Sequence, residues 1–351
     1  MRILMKHASI AAVLTPLWIS LLLCTLPASS AEPTKKKLIA TDTLGVDADF
    51  YAQGEYSGSV TVNNTKQRVA LQVIALGNSR FSGVGYWGGL PGDGWDGNEK
   101  LRFTGATKEG TTFLTNSTEP KKLDRDLIVV SGKIGFGELK LFGPQSKPIG
   151  VLPRVKRRSP TLGKKPPAGA IVLFDGTTAK AFEKGRMTSN GLLQEGTQSR
   201  QLFQNHDVHI EFQLPYMPSD RGQGRGNSGC YLQGRYEIQV LDSFGLDGKN
   251  NECGGIYSVR DPNVNMCLPP LAWQTYDIKF TAAKYDAAGK KLGNARMTVH
   301  HNGVLVHKEV EIPHRTTAAP LKEGATPGPL FLQDHDCPLR YRNIWVVPRS
   351  E

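Results

Sequence analysis

Apolar and polar residues alternate along most of the chain, in short runs that end at glycine, proline or asparagine. The runs 54–62 and 68–76 contain Val, Thr, Ile and Tyr and are separated by Asn63 and Asn64. A period of two places successive side chains on opposite faces of a strand, and asparagine pairs are typical of turns. Further runs of this kind are 81–87, 100–104, 111–115 and 127–131. Together they predict a small N-terminal β domain over 40–143, either a sandwich or a barrel.

The second half of the chain shows the same alternation in eight further runs. One pair flanks Asn302 and Gly303, which suit a two-residue type I′ hairpin turn because both positions need positive φ. The runs are 208–214, 228–233, 236–241, 274–281, 296–300, 304–310, 328–333 and 341–347. Without a convincing helical period, they predict two packed antiparallel sheets over 169–349.

Composition supports an all-β fold. The 351 residues include 38 Gly and 22 Pro, and glycine costs a helix about 1 kcal/mol relative to alanine. With 39% hydrophobic and 21% charged residues, the chain can bury a core and is unlike an extended disordered protein. An all-helical architecture is therefore disfavoured.

The first residues of the chain differ from the rest. Arg2 and Lys6 precede an apolar run, 10–26, which is followed by small residues up to Ala31. This order is typical of a secretory signal peptide. We therefore predict that residues 1–31 are removed and that the protein is exported, to the periplasm or out of the cell. A retained membrane anchor is the alternative, and no other run is long enough to span a bilayer.

The chain is basic, and much of the excess charge is local. Its formal net charge is +11, and loss of Arg2 and Lys6 with the signal peptide would leave +9. Basic residues cluster among prolines within 144–168. Binding of nucleic acid would call for aromatic residues among these charges, and the segment has none. It therefore indicates a solvated linker between two domains, and we expect no nucleic-acid partner.

Four cysteines follow the predicted signal peptide: Cys230, Cys253, Cys267 and Cys337. An even number in an exported chain favours disulfides. A Cys253–Cys267 bridge would close a Gly- and Pro-containing loop at a gain of about 3 kcal/mol, and Cys230–Cys337 would follow by elimination. A structural zinc site is the alternative, but no pair shows the C-x2-C or H-x3-H spacing of such sites. We predict disulfides and no metal.

Two neighbouring runs carry a polar face. A period of two places Tyr231 and Gln233 on one face of the first run, and Arg235, Glu237, Gln239 and Leu241 on one face of the next. The residues that alternate with these in the second run are Tyr, Ile and Val, which would pack in the core. The polar face is either plain solvent surface or a binding cleft. We favour the cleft because these side chains offer ring stacking and paired hydrogen bonds to the vicinal hydroxyls of a sugar.

Phe174-Asp175-Gly176-Thr177 opens a series of sequence blocks that continues to the C-terminus. The later blocks are 227–243, 255–257, 273–277, 301–303, 332–335 and 342–345. In this order, over about 170–348, they resemble the 3-keto-disaccharide hydrolase domain family. The resemblance implies a concanavalin A-like jelly roll, an architecture of many secreted carbohydrate-binding and carbohydrate-cleaving proteins. The N-terminal domain lies outside it.

The resemblance also implies a reaction, the cleavage of 3-keto-glycosides. A ketone at sugar C3 acidifies the proton on C2, so a base can remove it, the C1 substituent leaves by β-elimination, and water adds back. This route needs one base, one acid for the leaving oxygen and a donor at the ketone. An ordinary glycosidase instead needs two carboxylates that flank the acetal.

Four residues are the expected catalytic groups. Glu237 would act as base or acid, His335 would transfer the second proton, and Arg235 would donate to the ketone or enolate oxygen. Asp242 would orient or replace one of them. The expected substrate-binding residues are Tyr231, Gln233, Gln239, Tyr257 and Gln333. We expect no cofactor, although a divalent ion would also polarise the ketone.

Two other functions stay open from the sequence alone. A jelly roll can bind polysaccharide without chemistry, as a lectin-like module. Alternatively, the basic linker and the first domain would dock onto anionic material, as in a cell-surface adaptor. A carbohydrate is the expected partner in the enzymatic and the lectin-like functions, and the sequence does not indicate an oligomeric state.

Overall fold

The computed structural model describes residues 37–62, 64–118 and 129–350. In these ranges the regular structure is almost entirely β, which confirms the all-β fold. Helical structure in the same ranges is limited to the single turn α1, Asp49–Ala52, and to 3-10 turns at Pro144–Ser146 and Gly222–Gly224. Among the described residues, no helix combines the length and the apolar character needed to cross a membrane. The predicted signal peptide, 1–31, lies outside these ranges.

Eight antiparallel strands close into an N-terminal barrel, in which each strand pairs with the next and β8 returns to β1. Alternate side chains such as Tyr56, Val73 and Phe103 fill its interior. The strands are β1 Gly54–Val62, β2 Thr65–Gly77, β3 Arg80–Trp87, β4 Leu101–Lys108, β5 Thr111–Asn116, β6 Ser131–Gly135, β7 Glu138–Phe142 and β8 Pro148–Val155. Of the two architectures that the sequence left open, the structure has the barrel.

The C-terminal half forms two antiparallel sheets that pack as a jelly-roll sandwich. Every one of the eight predicted runs is a strand, with ends that differ by at most two residues. Asn302 and Gly303 have φ of 50° and 78°, as the predicted type I′ turn requires. The strands are β9 Ile171–Phe174, β10 Phe182–Glu183, β11 Leu193–Gln194, β12 Thr197–Phe203, β13 His206–Gln213, β14 Ser228–Leu232, β15 Tyr236–Val240, β16 Trp273–Thr281, β17 Lys284–Tyr285, β18 Lys291–Gly293, β19 Ala295–His301, β20 Val304–Ile312, β21 Gly328–Leu332 and β22 Arg340–Pro348.

The order of the strands decides which side chains become neighbours. One sheet has the order β10-β12-β21-β14-β15, and the other has the order β11-β22-β13-β16-β19-β20, with β9 also paired to β22. β17 and β18 form a separate two-stranded ribbon. The core between the two sheets contains Leu232 and Ile238 from one sheet and Phe212 and Tyr276 from the other. Burial of such a side chain contributes about 1.5–3 kcal/mol.

The prediction of a solvated linker over 144–168 is corrected by the structure. Its first part contains β8, and residues 156–165, here called the strap, lie across the outer face of the sheet that contains β13 and β16. Ser159 Oγ lies 2.6 Å from Thr275 Oγ1, Thr161 Oγ1 donates to Asp277 Oδ2 at 2.7 Å, and the Gly163 amide donates to Glu211 at 2.5 Å. Hydroxyl and backbone groups thus bind the strap to the sheet. The sequence of this segment is dominated by basic residues and prolines, so these contacts were not predicted.

The barrel and the sandwich share one compact unit, Lys37–Glu351. Ile74, Val84 and Tyr86 of the barrel belong to the same apolar cluster as the sandwich core. Arg225 of the sandwich donates to the carbonyl oxygen of Ala75 in the barrel at 3.1 Å. The two parts therefore meet through a packed and hydrogen-bonded interface.

The prediction of two disulfides is wrong for this structure, in which all four cysteines are buried free thiols. Cys253 and Cys267 lie within hydrogen-bonding distance of each other, and Cys253 Sγ is 3.2 Å from the Tyr276 hydroxyl. Cys230 points into the core from β14, whereas the Cys337 thiol faces the carbonyl oxygen of Gly224 at 3.9 Å. Cys230 and Cys337 both belong to the sandwich core, and neither this pair nor Cys253 and Cys267 is bonded.

Candidate active site

The five-stranded sheet carries a polar face that is turned away from the sandwich core. On β14 and β15 the core residues alternate with Tyr231, Glu237 and Gln239, which face the other way. Tyr231 lies directly opposite Glu237 in the register, and Gly229 lies opposite Gln239. Opposed residues on neighbouring strands have Cβ atoms about 4.5–5.5 Å apart, so the side chains of Tyr231 and Glu237 touch.

Glu237 is a buried carboxyl group whose hydrogen-bond partner is a phenol. The residue is 1% exposed, and the single proton of the Tyr231 hydroxyl is shared between its carboxyl group and the carbonyl oxygen of Thr317, which lies 3.4 Å from the hydroxyl. Burial raises the pKa of Glu237 to about 8, and the hydrogen bond from Tyr231 opposes that rise. Burial and the neighbouring Glu237 charge also raise the pKa of the Tyr231 phenol. Glu237 therefore changes its protonation near neutral pH, which suits a group that transfers protons.

Gly229 makes room for this pair. A Cβ atom at this position would lie 2.3 Å from Glu237 Oε1 and 2.7 Å from Tyr231 Cε2. No side chain fits at these distances, so the absence of one lets the carboxyl group fold over the neighbouring strand.

Gln333 extends the network beyond the end of β21. Its Nε2 donates to the Tyr231 hydroxyl at 3.3 Å, and its backbone amide donates to Gly229 O at 2.9 Å. Phe331 on β21 contacts Tyr231, with ring centroids 5.4 Å apart. Gln333, Phe331 and Tyr257 are each half-buried and form a rim around the buried Tyr231 and Glu237.

A cluster of amide side chains adjoins the pair. Gln239 Nε2 donates to Gln223 Oε1 at 3.1 Å, and Asn227 Nδ2 donates to Gln223 O at 2.8 Å. The Oδ1 of Asn227 is buried and accepts no hydrogen bond from any described residue. These amides can bind hydroxyl groups as donors and as acceptors.

Two loops close the sides of this face. Residues 254–257 pair with the free edge of β15, and the Tyr257 amide donates to Glu237 O at 3.2 Å. The loop 313–327 covers the other side, where Thr316 Oγ1 accepts a hydrogen bond from the Glu237 amide at 3.0 Å. Both loops fix the backbone of Glu237 rather than its carboxyl group.

The structure does not place Arg235 and Gln233 at the carboxyl group of Glu237. The Arg235 guanidinium donates to the carbonyl oxygens of Lys322 and Thr326 at 2.7 and 2.9 Å, so it fixes the loop 313–327. Gln233 lies in the turn after β14 and donates to Phe203 O at 3.1 Å. The prediction that Arg235 and Gln233 share a face with Glu237 is therefore wrong. It assumed unbroken alternation, but a turn separates β14 from β15.

Asp242 also differs from its expected role. Its Oδ2 accepts from Arg225 Nε at 2.5 Å, its Oδ1 accepts from the Phe244 amide at 3.3 Å, and its side chain is 1% exposed. Arg225 in turn binds the barrel. Asp242 therefore belongs to the interface between barrel and sandwich.

His335 lies two residues beyond Gln333 and is exposed. Within the described ranges, no hydrogen bond to its ring is found. Its role in proton transfer stays a prediction. The expectation that Arg235, Glu237 and His335 meet over one surface is not met, because the Arg235 guanidinium is bonded to the loop 313–327.

Several residues of this site were missed by sequence reasoning. Gly229, Gln223 and Phe331 were not proposed, and neither was the loop 313–327. Gly229 and Phe331 alternate in the same register as Tyr231 and Gln333, so the period of two contained a signal for them. The loop has no periodic signal. Within the described ranges, no group of three or more His, Cys, Asp or Glu side chains is arranged to hold a metal ion.

The fold and this face define a class, the concanavalin A-like jelly rolls, here with a buried carboxyl group on a polar sheet surface. Within that class, the chain belongs to the 3-keto-alpha-glucoside-1,2-lyase-like domain family, whose profile matches residues 169–347. The barrel lies outside the matched residues.

Two solved structures from Parabacteroides distasonis ATCC 8503, each described as a putative glycosyl hydrolase, are similar to this chain. The first is 34% identical, with 52% of this chain and 85% of the other covered, and a TM-score of 0.48. The second is 15% identical, with 52% and 95% covered, and a TM-score of 0.39. A search of the curated proteins found no match.

Proposed function

We propose that this protein cleaves the glycosidic bond of 3-keto-glycosides by elimination and hydration. The family supports a keto-sugar substrate, and the relative that is 34% identical supports a glycosidic bond. The observation that carries the proposal is the buried Glu237 carboxyl group, which is hydrogen-bonded to Tyr231 and has a pKa of about 8. A carboxylate with this pKa is a stronger base than an ordinary one, as removal of a carbon-bound proton requires.

In the proposed first step, the Glu237 carboxylate takes the proton from C2 of the sugar. The electron pair of the C–H bond forms the C2–C3 double bond, and negative charge passes to the oxygen at C3. Tyr231, which donates to the carboxylate in the resting protein, donates to this oxygen instead. Tyr231 thus replaces Arg235 as the proposed donor at the ketone.

In the second step, the enolate reforms the ketone, and the bond between C1 and the leaving oxygen breaks as the C1–C2 double bond forms. We assign the proton for the leaving oxygen to His335, an exposed imidazole two residues beyond Gln333, and Gln333 donates to Tyr231. Water then adds at C1 and gives one proton to His335, which lost its own in the preceding step, while C2 takes back the proton that Glu237 holds. The net reaction is hydrolysis, with the base restored.

The test is turnover of a 3-keto-disaccharide by the purified full chain, with and without chelator, beside the variant Glu237→Gln. We expect the variant to lose most of the rate, roughly a hundredfold or more. The matched control is Glu138→Gln, which changes an exposed carboxylate on β7 and keeps the wild-type rate. Loss of substrate no faster than in buffer, or equal rates for the two variants, contradicts the proposal.

The second candidate is a lectin-like module that binds the sugar without chemistry. The 1% exposure of Glu237 favours it, since a carboxyl group closed off from the ligand could not take its proton. Calorimetry with the same disaccharide distinguishes the two functions: saturable binding with recovery of unchanged ligand supports the lectin, and turnover rejects it.

A further inference from the structure

A concave site lies between the barrel and the sandwich. The cleft has a volume of about 700 Å³, within the size range of ligand pockets. Its walls come from α1, from the end of β8 with the strap, from the loop 269–272 and from the start of β16 and the middle of β22. Both sandwich strands belong to the sheet opposite the one that carries Glu237. The cleft is therefore separate from the candidate active site.

The cleft is lined by more positive than negative charge. Its cations are Arg154, Lys156, Arg157, Arg158 and Arg342, and among the described residues that line it Glu55 is the one carboxylate. Glu55 already forms an ion pair with Arg157, through two hydrogen bonds of 2.8 and 2.5 Å. The remaining charge makes the cleft attractive to anions, because low-dielectric walls focus the field of the cations.

Three of these cations have no carboxylate partner among the described residues. Arg154 donates to the carbonyl oxygens of Tyr51 and Gln53 at 3.2 and 2.6 Å, so its position is fixed while its charge stays uncompensated. Lys156 and Arg158 are exposed on the strap. Arginine and lysine bind carboxylate and sulfate groups through charge-assisted hydrogen bonds.

Aromatic rings stand at the same cleft. Tyr51 is 62% exposed, and the half-buried Trp273 ring carries the Arg342 guanidinium 3.9 Å from its centroid. An exposed ring presents an apolar face that packs on the C–H groups of a sugar, which an inorganic anion lacks. A neighbouring cleft of about 470 Å³ shares Arg157 and Arg158 with it.

We propose that the cleft between barrel and sandwich binds an acidic oligosaccharide, with the anionic groups on Arg154, Lys156 and Arg158 and a sugar ring on Tyr51. The anionic group is a carboxylate or a sulfate, which these cations bind by the same chemistry. The site serves binding and not the bond cleavage proposed above, so it stands or falls independently of that reaction.

The test is calorimetric titration of the full chain at low salt with a galacturonic acid tetrasaccharide and with a sulfated tetrasaccharide. We expect at least one of them to bind saturably and more weakly as salt rises. Maltotetraose, a sugar without charge, tests whether the charge is needed. Inorganic sulfate, an anion without a sugar, tests whether the sugar is needed. Absence of saturable binding by both acidic sugars, or equal binding of either control, overturns the proposal.

Variants locate the site. The double variant Lys156→Gln and Arg158→Gln, and separately Tyr51→Ala, should weaken binding about tenfold, or about 1.4 kcal/mol. The matched control is Lys284→Gln with Lys308→Gln, which removes the same charge from exposed positions elsewhere. An equal loss in the control pair shows diffuse attraction and overturns the site. Binding retained in Glu237→Gln supports it, and binding lost there assigns the ligand to the other face.

Discussion

Glu237 and Asp242 are neighbouring buried carboxyl groups with opposite surroundings. Asp242 accepts a charged hydrogen bond from Arg225, whereas the partner of Glu237 is a neutral phenol. A buried charge is stable when a countercharge compensates it, and otherwise the group keeps its proton. The same residue chemistry therefore gives a structural ion pair at one position and a group that titrates near neutral pH at the other.

The pKa of Glu237 predicts how Glu237→Gln changes stability with pH. The pKa is about 8 in the folded protein against an ordinary value of 4.5, so the folded state binds more protons between these values. The stability that Glu237 provides is thus present below about pH 4.5 and lost as pH rises through about 8. Glutamine has no charge to bury, so the variant should gain on the wild type between pH 5 and pH 9, by up to roughly 4 kcal/mol.

Denaturant unfolding at the two pH values measures this gain, with Glu138→Gln as the control whose difference from wild type stays constant. A difference for Glu237→Gln that is the same at pH 5 and pH 9 would show that the carboxyl group is not held in an apolar environment.

The strap depends on a charged network on the outer face of β13 and β16. His209 Nδ1 lies 2.9 Å from Asp277 Oδ1 and its Nε2 lies 3.6 Å from Glu211 Oε1. Burial lowers the pKa of His209, but the two carboxylates together outweigh it and raise the pKa. Burial raises the pKa of Asp277, but its hydrogen bonds outweigh burial and lower the pKa to about 2. The strap binds this network through Thr161 and through Lys164 Nζ, which lies 2.9 Å from Asp277.

Asp277→Asn should weaken the strap at pH 6 and less so at pH 3. The lowered pKa of Asp277 gives stability above its ordinary value of 3.8, and this is lost as pH falls towards 2. The raised pKa of His209 gives stability below 6.5 that is lost as pH rises through its folded value. We expect a loss of about 2 kcal/mol at pH 6, with faster hydrogen exchange at the Gly163 amide.

The control is Asp93→Asn, which breaks an ion pair with Arg68 in which both side chains are about half exposed. Such pairs contribute roughly 0–1 kcal/mol, so this variant should stay close to wild type at both pH values. An Asp277→Asn effect that is no larger than this control, or that grows towards pH 3, would refute the role of the network.

The barrel and the sandwich are joined by contacts of very different burial. Arg225 and Asp242 form an ion pair with side chains 5% and 1% exposed, and Arg225 also reaches Ala75 of the barrel. Asp247 accepts from Lys100 and Arg102 of the barrel at 2.9 and 2.7 Å, but its side chain is 53% exposed. Removal of one partner from a buried pair leaves an uncompensated charge, which is far more costly than loss of a solvated pair.

Asp242→Asn should therefore destabilise the whole chain by roughly 3 kcal/mol, and Asp247→Asn by less than about 1 kcal/mol. Thermal unfolding of the two variants measures the contrast, and hydrogen exchange at the end of β2 reports whether the barrel loosens. Equal effects of the two substitutions would mean that the buried pair does not join the two parts.

The period-two pattern predicted the strands well because it is a local property. It placed the eight sandwich runs within two residues of their ends, and the Asn302-Gly303 pair set the hairpin between β19 and β20. In the barrel, the run 127–131 begins outside the described residues and overlaps β6 only at Ser131, and β7 was missed. β8 was also missed, because it lies in a segment whose prolines and basic residues suggested a linker. In the sandwich, the short strands β9–β11, β17 and β18 and the longer β12 were not among the predicted runs. The strap was missed for the same reason as β8, because its hydrogen-bond acceptors lie on strands far away in the chain.

For the site, the sequence determined that Glu237 and Gln239 share a face, because alternation along one strand fixes a face. It could not determine their neighbours. Only the sheet order, with β21 next to β14, brings Gln333 onto Tyr231, and only the turn after β14 directs Arg235 towards the loop 313–327. The pKa of Glu237 likewise arises from burial, which depends on every segment packed around the carboxyl group and on no single stretch of sequence.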